Sequence, residues 1–187
     1  MLLVVVMAAG CGTTSGGPGT ATSAATAADE NGQIRPVVEK LAINVRELRV
    51  VYDDLHIAAR DALTGEQPDR QLDYVQKVYL HVNAALMVAE SQYQMLSVIH
   101  YVSDERRTDY LTLRARDLDR ARTRMEDAIE FIALYDAFIR NSKATEAISR
   151  AQALIHGNIY LYSRLLDILK PLVHPAGAFT PDPYAPI

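Results

Sequence analysis

A hundred consecutive residues of this chain, between Pro68 and Pro171, contain no proline. Pro36 and Pro68 stand near the starts of long stretches of mixed polar and apolar residues, and no further proline occurs until Pro171. Between Glu66 and Lys170 the one glycine is Gly157. Proline removes a backbone donor and clashes with the preceding turn, and glycine loses the most entropy on ordering. A long segment nearly free of both, and rich in Ala, Leu, Arg and Glu, favours helix over strand.

Apolar periodicity points the same way. Ile34, Val38, Leu41, Val45, Leu48, Tyr52, Leu55, Ala59 and Ala62 alternate by four and three. So do Leu72, Val75, Tyr79, Val82, Leu86, Ala89, Tyr93 and Leu96, and again Ala144, Ile148, Ala151, Ile155, Asn158, Tyr162, Leu165, Leu169 and Leu172. A looser set runs through Leu111, Ala115, Leu118, Met125, Ile129, Ile132 and Ile139. Such seams belong to antiparallel helical bundles.

Four helices follow from the stops. Gly65 ends the first, Asn141-Ser142 ends the third and caps the fourth, and Pro171 ends the fourth. Pro36 and Pro68 are placed in first turns. The second boundary has only Ser103-Asp104 and Thr108-Asp109 as cap candidates. A break is required there, because one helix from Asp69 to Arg140 would be about 108 Å long at 1.5 Å per residue. The expected fold is all-α, an antiparallel up-down-up-down four-helix bundle over residues 33–172, with a Pro-rich tail at 173–187.

The N-terminal segment has another character. The apolar run Leu2 to Gly10 leads to Cys11, the only cysteine, and Gly12 to Ala28 is built solely from Gly, Thr, Ser, Ala and Pro. Ala8-Ala9-Gly10-Cys11 resembles the signal of a bacterial lipoprotein, with Ala8 where Leu is usual. The resemblance covers about the first dozen residues. It implies a signal segment at 1–10, a lipid on Cys11, and a tether at 11–32. The run is too short to span a bilayer, and it has no basic residues before it, which an upstream start codon would supply. The resemblance also implies a location in the cell envelope. Gly12, not Asp, follows the cysteine, which implies the periplasmic face of the outer membrane in a Gram-negative cell, and otherwise the outer face of the cell membrane. A lone cysteine excludes a disulfide framework, and residues 12–32 read as a flexible linker with a reach of roughly 25 Å.

Charge narrows the partners. A net charge of −4 argues against nucleic acid, which requires clustered cations, and against a polybasic membrane patch. The expected membrane partner is the lipid on Cys11; a protein partner is expected, of unassigned identity.

Three places could carry chemistry. Tyr52, Tyr79 and Asn158 occupy seam positions at comparable heights. They read first as a hydrogen-bonded layer fixing helix register, and alternatively as a small-ligand pocket. Tyr93 and His100 read in the same way. Arg116, Arg120 and Arg124 form an i, i+4 stripe in a charge-dense segment. There Asp119–Arg122 and Arg122–Glu126 can pair, leaving a solvated face or a docking stripe for an acidic or phosphate-bearing partner. His81 and His156 flank the seams at similar heights, but Glu-x-x-His and Cys-x-x-Cys-His are absent. No metal, no cofactor and no catalytic group is assigned. The reading is a lipid-anchored, non-enzymatic binding or scaffold bundle serving an envelope assembly, with a ligand carrier as the alternative.

Overall fold

The computed structural model describes residues 19–62 and 68–173. The signal segment, Cys11, the Gly65 stop and the tail beyond Val173 lie outside the described residues. Four helices, α1 (Gly19–Ala62), α2 (Pro68–Ser97), α3 (Asp104–Asp136) and α4 (Ser142–Val173), account for nearly all of them, and no strand occurs among the described residues. A short 3-10 turn at Ile99–Tyr101 joins α2 to α3. Each helix packs on its neighbours in chain order, and α4 closes the square against α1. This is the up-down-up-down bundle the seams predict.

Seam residues fill the centre. Leu41, Leu48, Leu55, Val75, Val82, Leu118, Met125, Ile132, Ile148, Ile155 and Leu165 are all fully buried. Each such side chain contributes roughly 1.5–3 kcal/mol by leaving water. The apolar face is wider than the seams. Val37, Val51, Ala58, Val78, Ala121, Ala147 and Leu161 are buried too, because each helix of a square meets two neighbours. Ala115 and Ile129 on α3 are only partly buried, which matches the looser pattern there.

Helix ends differ from expectation in four places. First, α1 starts at Gly19, within the stretch assigned to the linker. Ala21, Ala24, Ala25, Ala27 and Ala28 have the highest helix propensity, and a helix already nucleated by the bundle propagates without a new nucleation cost. Second, Pro36 therefore lies inside α1 and not in its first turn, with Gly32 four residues before it. Third, Pro171 lies inside the last turn of α4, which ends at Val173. Only Pro68 opens a helix as expected. Fourth, α3 stops at Asp136, five residues before the expected Asn141-Ser142.

The caps follow sequence more closely. Asn141 accepts at Oδ1 from the Ala144 N–H at 3.0 Å and so caps α4. Ser103 precedes α3 in an extended conformation without a side-chain cap bond. At the far turn, Gln71 on α2 bridges α3 to α4. Its Nε2 donates to the Phe138 carbonyl at 3.0 Å, and its Oε1 accepts from the Arg140 N–H at 2.7 Å.

Candidate functional site

The predicted Tyr52/Tyr79/Asn158 layer divides in two. Tyr52 on α1 and Tyr79 on α2 are half-buried and stacked, with ring centroids 4.4 Å apart at 21°. The Tyr79 hydroxyl donates to that of Tyr52. That hydrogen bond, with burial and the Asp53 charge behind it, pushes the Tyr79 phenol up to about 12. It therefore stays protonated near neutral pH and offers no base. His56 leans on Tyr79 with ring centroids 5.9 Å apart.

Asn158 is elsewhere. It is fully buried, and its Oδ1 accepts from Asn44 Nδ2 on α1 at 3.1 Å. Asn44 precedes Tyr52 by eight residues, or about 12 Å along α1, so three side chains around one space do not form. The correction comes from axial register. α1 and α4 are pinned antiparallel by Asn44–Asn158, by Asp54–Arg150 at 3.0 Å and by Asp61–Lys143 at 2.9 Å. Tyr52, turned toward Tyr79 on α2, therefore lies at the height of Arg150 on α4 and not of Asn158.

Asn44 and Gly157 carry no assignment from the sequence, and they work together. A Cβ on Gly157 would stand 2.9 Å from Asn44 Nδ2, so the bare glycine makes the space for the amide. Two polar atoms nearby are left without partners among the described residues, Asn158 Nδ2 and the hydroxyl of Tyr162. Tyr162, one turn along α4, is fully buried, and burial holds its phenol well above the usual range.

On α3, Arg116, Arg120 and Arg124 are all exposed. Arg122 pairs with Asp119 at 2.9 Å and with Glu126 at 3.8 Å, as its spacing predicts. The stripe makes no ion pair among the described residues. Beyond it the same outer face turns apolar. Phe131, Leu134 and Phe138 are 47%, 56% and 52% exposed. The inner face holds an arginine that seam reasoning misses. Arg114 is buried, pairs with Asp117 at 2.8 Å, donates to Met95 Sδ and lies over the Tyr110 ring at 5.2 Å.

The histidines do not converge. His81 stacks on Phe131, with centroids 4.6 Å apart, and burial lowers its pKa. His156 is exposed. No three His, Cys, Asp or Glu residues group to hold a metal among the described residues. No family model matches the chain, and no curated protein or solved structure is similar to it. Function rests on the chain's own surface chemistry.

Open grooves run between adjacent helices of the described residues, and three of them bear on the residues above. One, about 670 Å³, runs between α1 and α2, with Ile34, Val38, Tyr93, Leu96 and Ile99 on its floor. His100 is on its rim, so Tyr93 and His100 do meet one space. A groove of about 340 Å³ between α2 and α3 is lined in part by Met87, Ser91, Gln92, Met95, Arg120 and Arg124. The third, about 210 Å³, lies between α1 and α4 beside Ile57 and Arg150. No described helix is long and apolar enough to cross a membrane.

Proposed function

We propose that this chain is a lipid-anchored adaptor of the cell envelope, which binds a protein partner with the outside of its bundle. The observation that carries the reading is the outer face of α3. Phe131 and Leu134 on α3 and Phe138 in the turn that follows it recur at three- and four-residue spacing, and each exposes about half its surface. Single exposed apolar residues are ordinary, whereas an ordered stripe marks a contact surface. α1 carries a second stripe, Ile43, Val50 and Ile57, at seven-residue spacing and about half exposed. Inward-facing polar groups such as half-buried Asn44 and buried Asn158 join helices to one another and leave the outer faces to do the binding. The resemblance of residues 8–11 to a lipoprotein signal supplies the anchor on Cys11, with the outer membrane as its site in a Gram-negative cell. No catalytic step is assigned.

One experiment addresses both halves. Cells producing the chain with a photo-crosslinking residue at Leu134 or at exposed Lys40 are fed a clickable fatty acid, with Cys11→Ser as control. The reading expects fatty-acid label in the membrane fraction only when Cys11 is present. It also expects a discrete protein adduct from position 134 and none from position 40. Label that survives Cys11→Ser would overturn the anchor. A bare position 134 would overturn the adaptor.

A further inference from the structure

The α2–α3 groove has an unusual set of unmet bonding needs. Its α2 wall presents Met87, Ser91 and Met95 at four-residue intervals, with Gln92 beneath. Its α3 wall presents Arg120 and Arg124, one turn apart. Gln92 is 6% exposed, and its Oε1 has no hydrogen-bond partner among the described residues. A buried amide oxygen without a donor is costly to keep. Arg120 and Arg124 have no ion pair among the described residues. The one acid in the lining, Asp117, is held by Arg114 at 2.8 Å. The two guanidinium groups are thus left for an outside anion.

We propose that this groove docks an extended acidic segment of a protein partner, with carboxylates on Arg120 and Arg124, a backbone N–H on Gln92 Oε1 once its buried amide turns outward, and an apolar side chain between Met87 and Met95. The proposal rests on the adaptor reading and adds, beside the apolar stripe of Phe131 and Leu134, a second contact and the chemistry it takes. Each part follows from the chemistry of the lining. Guanidinium forks match carboxylates in paired hydrogen bonds. Methionine walls adapt to apolar side chains of varied shape. An extended segment offers backbone N–H groups that a helix keeps for itself. Dimensions agree: Met87 to Met95 spans about 12 Å, or roughly four extended residues. Carboxylates on alternate residues of such a segment fall about 6.6 Å apart, close to the rise of about 6 Å between Arg120 and Arg124. With the whole chain at −4, the attraction is local to the groove and not long-range steering.

The test pans a displayed library of random peptides against the full-length protein and against Arg120→Glu/Arg124→Glu. Both arginines are exposed, so the double variant should retain wild-type circular dichroism and melting. Wild type should enrich sequences with two acids beside an apolar residue. These should bind the double variant at least about tenfold more weakly, or 1.4 kcal/mol. Gln92→Leu should weaken them as well while melting no lower than wild type. Three results would overturn the groove: no enriched peptides, enriched peptides without acids, or binding unchanged by the arginine reversals. Displacement of the peptides by inorganic phosphate alone would make it a small-anion site and overturn the peptide assignment. If peptides bind but are lost only with Leu134→Asp, the groove assignment fails while the adaptor reading stands.

Discussion

Asn44 and Asn158 join α1 to α4 through a single hydrogen bond, 3.1 Å from Nδ2 to Oδ1, and leave the other amide nitrogen of the pair, Asn158 Nδ2, without a partner among the described residues. Replacing both partners of a buried polar pair by apolar groups is often neutral or stabilising, whereas removing one orphans the other. Asn44 is only half-buried, so water can take over its bonds. Asn158→Leu should therefore shift unfolding by no more than about 1 kcal/mol, and Asn44→Leu/Asn158→Leu should be more stable than the single variant. Denaturant unfolding of the set checks this. A double variant less stable than the single would contradict it.

Gly157→Ala sets two terms against each other. Alanine gains roughly 1 kcal/mol of helix propensity. Its Cβ would press on Asn44 Nδ2 at 2.9 Å and displace a hydrogen bond worth about 1 kcal/mol. The substitution should be close to neutral in the wild type. In an Asn44→Ala background the obstacle is gone, and the same change should stabilise by about 1 kcal/mol. Equal effects in both backgrounds would show that the close approach does not matter.

Tyr162→Phe removes a buried hydroxyl that has no partner among the described residues. The variant should melt at or above the wild-type temperature, since an unmade hydrogen bond in the interior costs about 1–3 kcal/mol. A clear drop in melting temperature would reveal a bound water serving that hydroxyl.

Alkaline pH should weaken the fold through Tyr79. Its phenol is raised from 10.0 to about 12, first by the Tyr52 hydroxyl. Between those values the unfolded chain has lost the proton and the folded chain retains it, so stability falls as pH rises. The contribution is complete below pH 10 and fades toward pH 12. Lys143, raised by its bond to Asp61, acts in the same direction. Tyr79→Phe should flatten the slope of stability against pH over this window, and an unchanged slope would exclude the pair as its source.

Gln71→Ala removes both clamps on the α3–α4 turn. The backbone groups it holds are exposed, so water replaces them and the cost should be about 1 kcal/mol. Amide exchange at Arg140 should accelerate while that of the Leu48 and Ile155 amides is unchanged. Global acceleration would show that the turn is part of the cooperative core.

Periodicity read the faces of this protein well and its heights poorly. Val75, Leu48 and Ile155 were legible because three- and four-residue spacing puts them on one side of a helix. Sliding α4 along α1 by one heptad keeps every seam residue on the seam, so the pattern cannot tell Asn158 opposite Tyr52 from Asn158 opposite Asn44. Specific pairs choose, and Asn44 lay off the seam. The signal that could have found it is Gly157, the lone glycine of the helical segment, since an isolated glycine in a helix marks a close approach. Arg114 escaped for a related reason. A charged residue on an inner face resembles a pattern error until Asp117, Tyr110 and Met95 are seen around it.

Pro36 has a mechanical consequence. It has no N–H to give to the carbonyl of Gly32, so α1 lacks one rung of its ladder at that point. Glycine adds its own conformational freedom on the same side, and no heavy atom would meet a Cβ on Gly32 within 4 Å. Ile34, between that glycine and Pro36, is buried. Bending stiffness along α1 is therefore reduced at this point. A pull on the N-terminal arm of α1 flexes the rod at this joint, and the core behind it bears little of the torque.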